Sequence, residues 1–283
     1  MKTRTPAIAC TALAGLALLA AAPAARADFN YPSFAGVSAG PSGAINLVGT
    51  ASLTSSSVVL TQSDRAQAGA VWNKVKQDVS GGFECSMTIR LDNIRGGGAD
   101  GVALVIQNSS ATALGGTGGA MGYGRNLVYN QAGIANSIAI ALDTWNNAPA
   151  DWPEGATPCI NIQSNGLAEN TPDLSAKLTG AALPVFNRSV AHTMRVTYGQ
   201  GLMSVYFDAA TSPLVQVAVN LDTLLALDQG KAWIGITAAT GAAVDAQTHI
   251  VDSWSFTTTT VPAPGVASLF ACGTLAGARR RRR

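Results

Sequence analysis

Only two histidines, His192 and His249, occur in the 283 residues, and the four cysteines stand far apart. No Cys/His cluster therefore has the spacing of a zinc site. Each histidine lies in a strand-like pattern and reads as a satisfied structural residue. Charge is thin as well. Asp, Glu, Lys and Arg make up 12% of the chain, and the basic residues between 28 and 260 are scattered singly. Nucleic-acid binding lacks its electrostatic footprint there. Helical periodicity is nearly missing; the best stretch, LDTLLALDQG at 221–230, suffices for a turn or two. The string GVSAG at 36–40 fits G-x-S-x-G but lacks the strand–turn–helix context that exposes a nucleophilic serine.

The two ends differ from the rest. Residues 1–27 carry Lys2 and Arg4, then the apolar run AIACTALAGLALLAAAPAA, then Ala25-Arg26-Ala27. A charged head, an apolar stretch and a small-x-small site predict a secretory signal peptide, with the mature chain starting near Asp28. At the other end stands VPAPGVASLFACGTLAGARRRRR, residues 261–283. Its apolar part is short of the roughly 20 residues a spanning helix needs, and the arginines would stay cytoplasmic. This tail resembles the PEP-CTERM class of bacterial sorting signals, with Ala263 where that class usually has glutamate. The resemblance implies an exosortase-type membrane peptidase as processing partner, and contact with a membrane only through the tail.

Removing Lys2, Arg4, Arg26 and the five terminal arginines from the eighteen basic residues leaves ten against sixteen acids, a net of −6 for residues 28–260. Such a surface suits a cation-binding or neutral-glycan-binding protein. Cys85 and Cys159 remain in this body, in an oxidising compartment. Cys85 alternates with Phe83, Met87, Ile89 and Leu91 and reads as core. Two separate thiols are expected rather than a disulfide.

Strand-like runs recur through the body, divided by Gly/Ser/Asn/Asp turns: SSVVLTQ, GGFECSMTIRLDN, DGVALVIQNS, NSIAIALDTW, CINIQSN, HTMRVTYGQGLMSVYFD, AWIGITAATG and THIVDSWSF. Their even spacing predicts one all-β domain over 28–260, an antiparallel β-sandwich. The segments also resemble, in order, those of L-type lectins, the legume-lectin family. FNYPSF matches the opening strand, ADGVALVIQ the Ala-Asp-Gly strand, and GGAMGYG the glycine loop. IAIALDTWNN matches the metal loop, and AWIGITAATG with HIVDSWSF the closing strands; these last two motifs are the most specific. The resemblance implies a concanavalin A-like jelly roll.

Calcium takes six to eight hard oxygens. In LDTWNNAPAD the Asp143 carboxylate, the Trp145 carbonyl, the Asn147 amide oxygen and the Asp151 carboxylate can supply several, and these positions match the family's calcium site, Asp151 after a one-residue gap. The same stretch also reads as an Asx-type turn that holds no metal. The family's second, transition-metal site uses a glutamate and a histidine where this chain has Ala141 and Cys159, so that site is expected to be absent.

The resemblance also implies a sugar site. Asp100, after a cis Ala99–Asp100 bond, would accept two sugar hydroxyls, approached through a flexible RGGGAD run. Gly119, with Gly118 beside it, would offer a backbone N–H. Asn147 would donate to the sugar, and the Trp145 indole would stack on a pyranose. The loop GAAVDAQ, with Ala242, Val244 and Asp245, sits where the family tunes monosaccharide choice. Each residue also has an ordinary reading: Asp100 as a turn acid, the glycines as a hairpin, Trp145 as core. Glycosidases of related sandwiches carry a Glu-x-Asp-x-x-Glu strand, which is missing here. The expectation is an exported, calcium-dependent carbohydrate-binding protein and not an enzyme. Its partners would be glycans or exopolysaccharide, its location the cell surface, outer envelope or extracellular matrix, with homo-oligomers open. The alternative is a structural or matrix protein using the same sandwich without sugar.

Overall fold

The computed structural model describes residues 28–147, 158–183, 186–188, 190–241 and 244–259. The expected leader (1–27) and tail (261–283) lie outside them. In chain order the strands are β1 (Phe29–Tyr31), β2 (Ile45–Gly49), β3 (Ser52–Leu53), β4 (Val58–Thr61), β5 (Ala68–Asn73), β6 (Gln77–Asp78), β7 (Phe83–Arg95) and β8 (Gly101–Gln107). They continue as β9 (Ser137–Asp143), β10 (Cys159–Ser164), β11 (Lys177–Ala182), β12 (His192–Gly199), β13 (Leu202–Phe207), β14 (Val215–Ala218), β15 (Lys231–Ala239) and β16 (Ala246–Thr258). LDTLLALDQG yields one turn, α1 (Leu221–Leu224), where Asn220 Oδ1 accepts from the amides of Asp222 and Thr223.

Two antiparallel sheets form a sandwich, as the sequence predicts. The first runs β14-β13-β12-β7-β16-β4-β3, with β1 added on β16; the second runs β11-β10-β9-β8-β15-β5-β2, with β6 on β15. In the first sheet, burial alternates. Phe83, Cys85, Met87, Ile89 and Leu91 of β7 point inward, as do His192, Met194, Val196 and Tyr198 of β12. The period of two follows from the pleat, and one face is left to water.

The second sheet is buried on both faces. Val102, Leu104, Ile106, Ile138, Ile140 and Leu142 face the first sheet and join the main core. The residues between them, Ala103, Val105, Ala139 and Ala141, pack with Met121, Tyr123 and Ile134 in a second cluster. Small side chains on this outer face let the long connection between β8 and β9 lie close over the sheet. Burying each large apolar side chain contributes roughly 1.5–3 kcal/mol. A close fit here also requires Gly235: it stands opposite Trp72 in the β15–β5 register, and a Cβ would come 2.1 Å from the Trp72 ring.

Cys85 in the first sheet and Cys159 in the second are both buried thiols. Burial pushes the Cys85 thiol up to about 12, so it stays protonated and inert. His192 is held by Asp208 Oδ2 at 2.9 Å and the Asn187 carbonyl at 2.8 Å, and it stacks on Phe186 at 4.7 Å. It is a structural residue, as its strand pattern predicts.

Candidate functional site

The register of β8 and β9 builds the site. Gly101 stands opposite Asp143, so the start of one strand meets the end of the other. Asp100, just before β8, and Asp143, closing β9, are thereby set together at one sheet end, 2% and 3% exposed. The Asp100 backbone is fixed on both sides. Its N–H donates to the Ala239 carbonyl at 3.0 Å, and its carbonyl accepts from Thr144 N and Thr144 Oγ1, each at 2.8 Å. The Ala99–Asp100 peptide is cis.

After Asp143 the strand stops. Trp145 N donates back to Asp143 Oδ1 at 3.1 Å, an Asx-type contact that swings the chain round. The chain through Asp143, Trp145 and Asn147 is thus a turn. The Asn147 amide comes to rest with Nδ2 at 3.3 Å from both Asp100 Oδ1 and the Trp145 carbonyl. Gly119, in the first turn of a 3-10 segment (Gly118–Ala120), faces this amide; a Cβ there would lie 2.8 Å from Asn147 Nδ2. Gly118 is a turn anchor, with positive φ and its N–H given to the Thr240 carbonyl at 3.0 Å.

These groups line one open depression of about 320 Å³, with Asp100, Gly118, Gly119, Trp145, Asn147 and Asp245 in its wall. Val244 is 56% exposed and not among the lining residues; Ala242 lies outside the described residues. A second depression, about 280 Å³, sits by β1 and β5, but its Asp28 carboxylate already accepts from Thr258 N and Oγ1 at 2.7 and 2.9 Å.

The glycine run before Asp100 is not the flexible approach that its composition predicts. A Cβ on Gly97 would meet the Trp145 ring at 2.3 Å, and one on Gly96 would meet Asp245 Oδ1 at 2.2 Å. Gly97 N donates to Asp245 Oδ1 at 2.7 Å. The run is glycine because an indole and a carboxylate close in on it. Asp245 therefore holds the 96–98 turn as well as lining the pocket.

Beneath this turn runs a polar network that sequence reasoning missed. Arg188 Nη1 donates to the carbonyls of Gly97 and Gly98 at 2.6 and 2.9 Å and lies 3.4 Å from Gln247 Oε1, while Nη2 donates to the Thr144 carbonyl. Gln247 Nε2 reaches Thr144 Oγ1 at 2.8 Å and His249 Nε2 at 3.1 Å; His249 Nδ1 meets Thr61 Oγ1 at 2.7 Å. With the amide donating to Nε2, the imidazole is neutral and carries its proton on Nδ1. Burial, then the Arg188 charge, depress His249 to about 3. Burial also lowers Arg188. Arg188 is one unclustered basic residue with no sequence signal for this role.

The candidate donors of this loop are all oxygens: the Asp143 carboxylate, the Trp145 carbonyl and the Asn147 amide oxygen. That chemistry fits calcium. Among the described residues no three His, Cys, Asp or Glu gather as a metal site, so a calcium ion here would need carbonyl and amide oxygens in its shell. Asp151 lies outside the described residues. At the positions of the family's second metal, Ala141 is packed in the outer cluster and the Cys159 sulfur lies 3.4 Å from Asn161 Nδ2. The pocket rim also holds Asn126, Val128 and Tyr129, which were not singled out from sequence; their signal was an apolar triplet set between Asn126 and Asn130.

Known proteins share this architecture. A lectin from Bauhinia forficata, solved with GalNAc, superposes with a TM-score of 0.63 at 21% identity, covering 83% of this chain and 99% of its own. The winged bean acidic lectin, solved with methyl-α-D-galactose, gives 0.65 at 19%, covering 82% and 98%. The exoplasmic/lumenal domain of VIP36 in its Ca²⁺/Man-bound form gives 0.58 at 18%, covering 79% and 86%. The family model for the legume lectin β-barrel domain matches residues 39–253. With that match spanning most of the sandwich, the chain belongs to the L-type (legume) lectin family.

Proposed function

We propose that this chain is a calcium-dependent carbohydrate-binding protein and not an enzyme. The observation that carries the reading is the convergence of Asp100, Gly119, Trp145 and Asn147 on one open pocket. The Asp100 carboxylate accepts hydrogen bonds from sugar hydroxyls. Asn147 Nδ2, already 3.3 Å from that carboxylate, donates to a hydroxyl bridging the two. Gly119 leaves room for the ring and turns backbone toward it, since the first N–H groups of a helical turn have no partner within it. The Trp145 indole offers an apolar face. Such a pocket orients a ring through few polar groups and excludes water with the rest.

Asp143, the Trp145 carbonyl, Asn147 and Asp151 would hold the calcium ion. When bound, that ion supplies positive charge to a loop carrying buried carboxylates, which burial otherwise penalises. Relatives solved with GalNAc, mannose or methyl-α-D-galactose support sugar as the ligand class.

Export through the leader at 1–27, sorting by the tail at 261–283 through an exosortase-type peptidase, and display at the cell surface or matrix complete the reading. Among the described residues no helix is long and apolar enough to cross a membrane. A glycan array probed with the purified sandwich in calcium tests the function. Retention of a defined sugar class supports it; an array blank in calcium, from a chain with a cooperative melt, overturns it in favour of a structural sandwich.

A further inference from the structure

We infer that residues 126–131 form a preformed outer subsite that takes the second ring of an oligosaccharide whose first ring sits at Asp100. The inference rests on the sugar-binding reading above and deepens it.

The segment Asn126-Leu127-Val128-Tyr129-Asn130-Gln131 is a tight hairpin. Asn126 and Gln131 exchange both backbone hydrogen bonds at 2.9 Å. Within the tip, Asn126 Oδ1 accepts from Val128 N at 3.1 Å and Tyr129 N at 3.4 Å, and Asn130 takes a positive φ. The hairpin is stapled to the pocket wall. Gln131 Oε1 accepts from Thr117 N and Oγ1 at 2.8 and 3.0 Å, and Asn126 Nδ2 donates to the Thr117 carbonyl at 2.9 Å. Thr117 immediately precedes Gly118 and Gly119. The hairpin's position relative to Asp100 and Asn147 is thus fixed before any ligand arrives.

What the hairpin presents is apolar. Leu127, Val128 and Tyr129 are 73%, 84% and 52% exposed. None is needed to close the turn, which the Asn and Gln side chains hold. Consecutive large apolar side chains on a surface mark a binding site more often than chance exposure. Val128 and Tyr129 also line the same depression as Asp100, Gly119 and Asn147. The apolar surface is therefore continuous with the polar pocket and faces the same volume.

That pairing fits one ligand chemistry. A sugar ring has polar edges and an apolar face of C–H groups. The inner groups read hydroxyls; the Tyr129 ring and Val128 methyls match a C–H face. A rigid aromatic contributes such contact at small entropic cost. A single ring held at Asp100 leaves the tip exposed, whereas a second ring covers it.

The test is calorimetric titration of the sandwich in calcium with mannose against mannobiose and galactose against lactose. For whichever sugar binds, the disaccharide is expected to bind about tenfold more tightly than its monosaccharide, the scale of one aromatic contact. Tyr129→Ala is expected to collapse that ratio toward one, and Tyr129→Phe to retain it, with thermal melts confirming that both fold. A disaccharide bound no better than the monosaccharide, or a ratio untouched by Tyr129→Ala, overturns the outer subsite and leaves the inner site standing. Binding of neither pair overturns the inner reading, and this inference with it. Self-association of the wild type that Tyr129→Ala relieves, with the ratio unmoved, assigns the tip to a contact between copies and overturns the subsite.

Discussion

Asn147 Nδ2 lies 3.3 Å from Asp100 Oδ1, across forty-seven residues of chain. The Gly101–Asp143 pairing of β8 and β9 sets the two loops at one sheet end, and the Asx-type contact of Asp143 with Trp145 N turns Asn147 inward. If this pair is the sugar clamp, Asp100→Ala removes the carboxylate acceptor while both ends of its backbone stay hydrogen-bonded. Sugar affinity should fall more than thirtyfold, from the roughly 2–5 kcal/mol that a buried charged hydrogen-bonding partner is worth. Circular dichroism should match the wild type. Retained affinity in a folded variant would remove Asp100 from the site.

Gly119 provides a complementary change that adds atoms. A Cβ there would stand 2.8 Å from Asn147 Nδ2 and 2.9 Å from its Cγ. Gly119→Val should push the Asn147 amide aside and occupy sugar volume. Affinity should drop at least tenfold, with a stability change under about 1 kcal/mol because the position is only partly buried and the Asn147 side chain can move aside. Titration calorimetry paired with a urea melt separates the two.

Arg188 is expected to be a stability residue for the binding turn. Replacing it with methionine keeps much of its length and strips donors from the carbonyls of Gly97, Gly98 and Thr144. Buried acceptors left without donors cost about 1–3 kcal/mol each when water cannot reach them. The total loss should reach about 2–4 kcal/mol in urea denaturation. Sugar affinity should fall as well, since Gly97 backs Trp145.

His249 gives the fold an acid sensitivity with a definite sign. Its folded pKa is about 3, depressed by burial and by Arg188, against about 6.5 when unfolded. The unfolded chain therefore binds the extra proton between these values. Stability from keeping the ring neutral is complete above about pH 6.5 and is lost as pH falls toward 3, on the order of 5 kcal/mol in all. Between pH 5 and 6, above most carboxylate titrations, His249→Gln should flatten the rise of unfolding free energy with pH by about one proton. An unchanged slope would mean that His249 titrates normally.

The strands were legible because burial alternates wherever one face meets water, as in Phe83 to Leu91. Cys85 could be assigned to the core on that pattern alone. The doubly buried strands β8 and β9 were legible as short apolar runs. That Asp143, Trp145 and Asn147 lie on one loop after β9 was legible in the sequence, whereas the Asx-type turn that shapes this loop was not. What stayed hidden depends on contacts across long sequence gaps. Arg188 reaches Gly97 over 91 residues, so nothing local marks it. The glycine run at 96–98 read as flexible because composition does not reveal that Trp145 and Asp245 press on it. The apolar tip Leu127–Tyr129 had no alternation to betray its place beside the pocket.

The central claim is that a divalent cation held by the Asp143 loop shapes the pocket that Asp100 shares. It is tested most directly by measuring sugar affinity on one preparation three times: as purified in calcium, after exhaustive chelation, and after calcium is restored. The account expects binding, loss of at least a hundredfold with the β-sandwich circular dichroism intact, then full recovery. Affinity that survives chelation undiminished would contradict it.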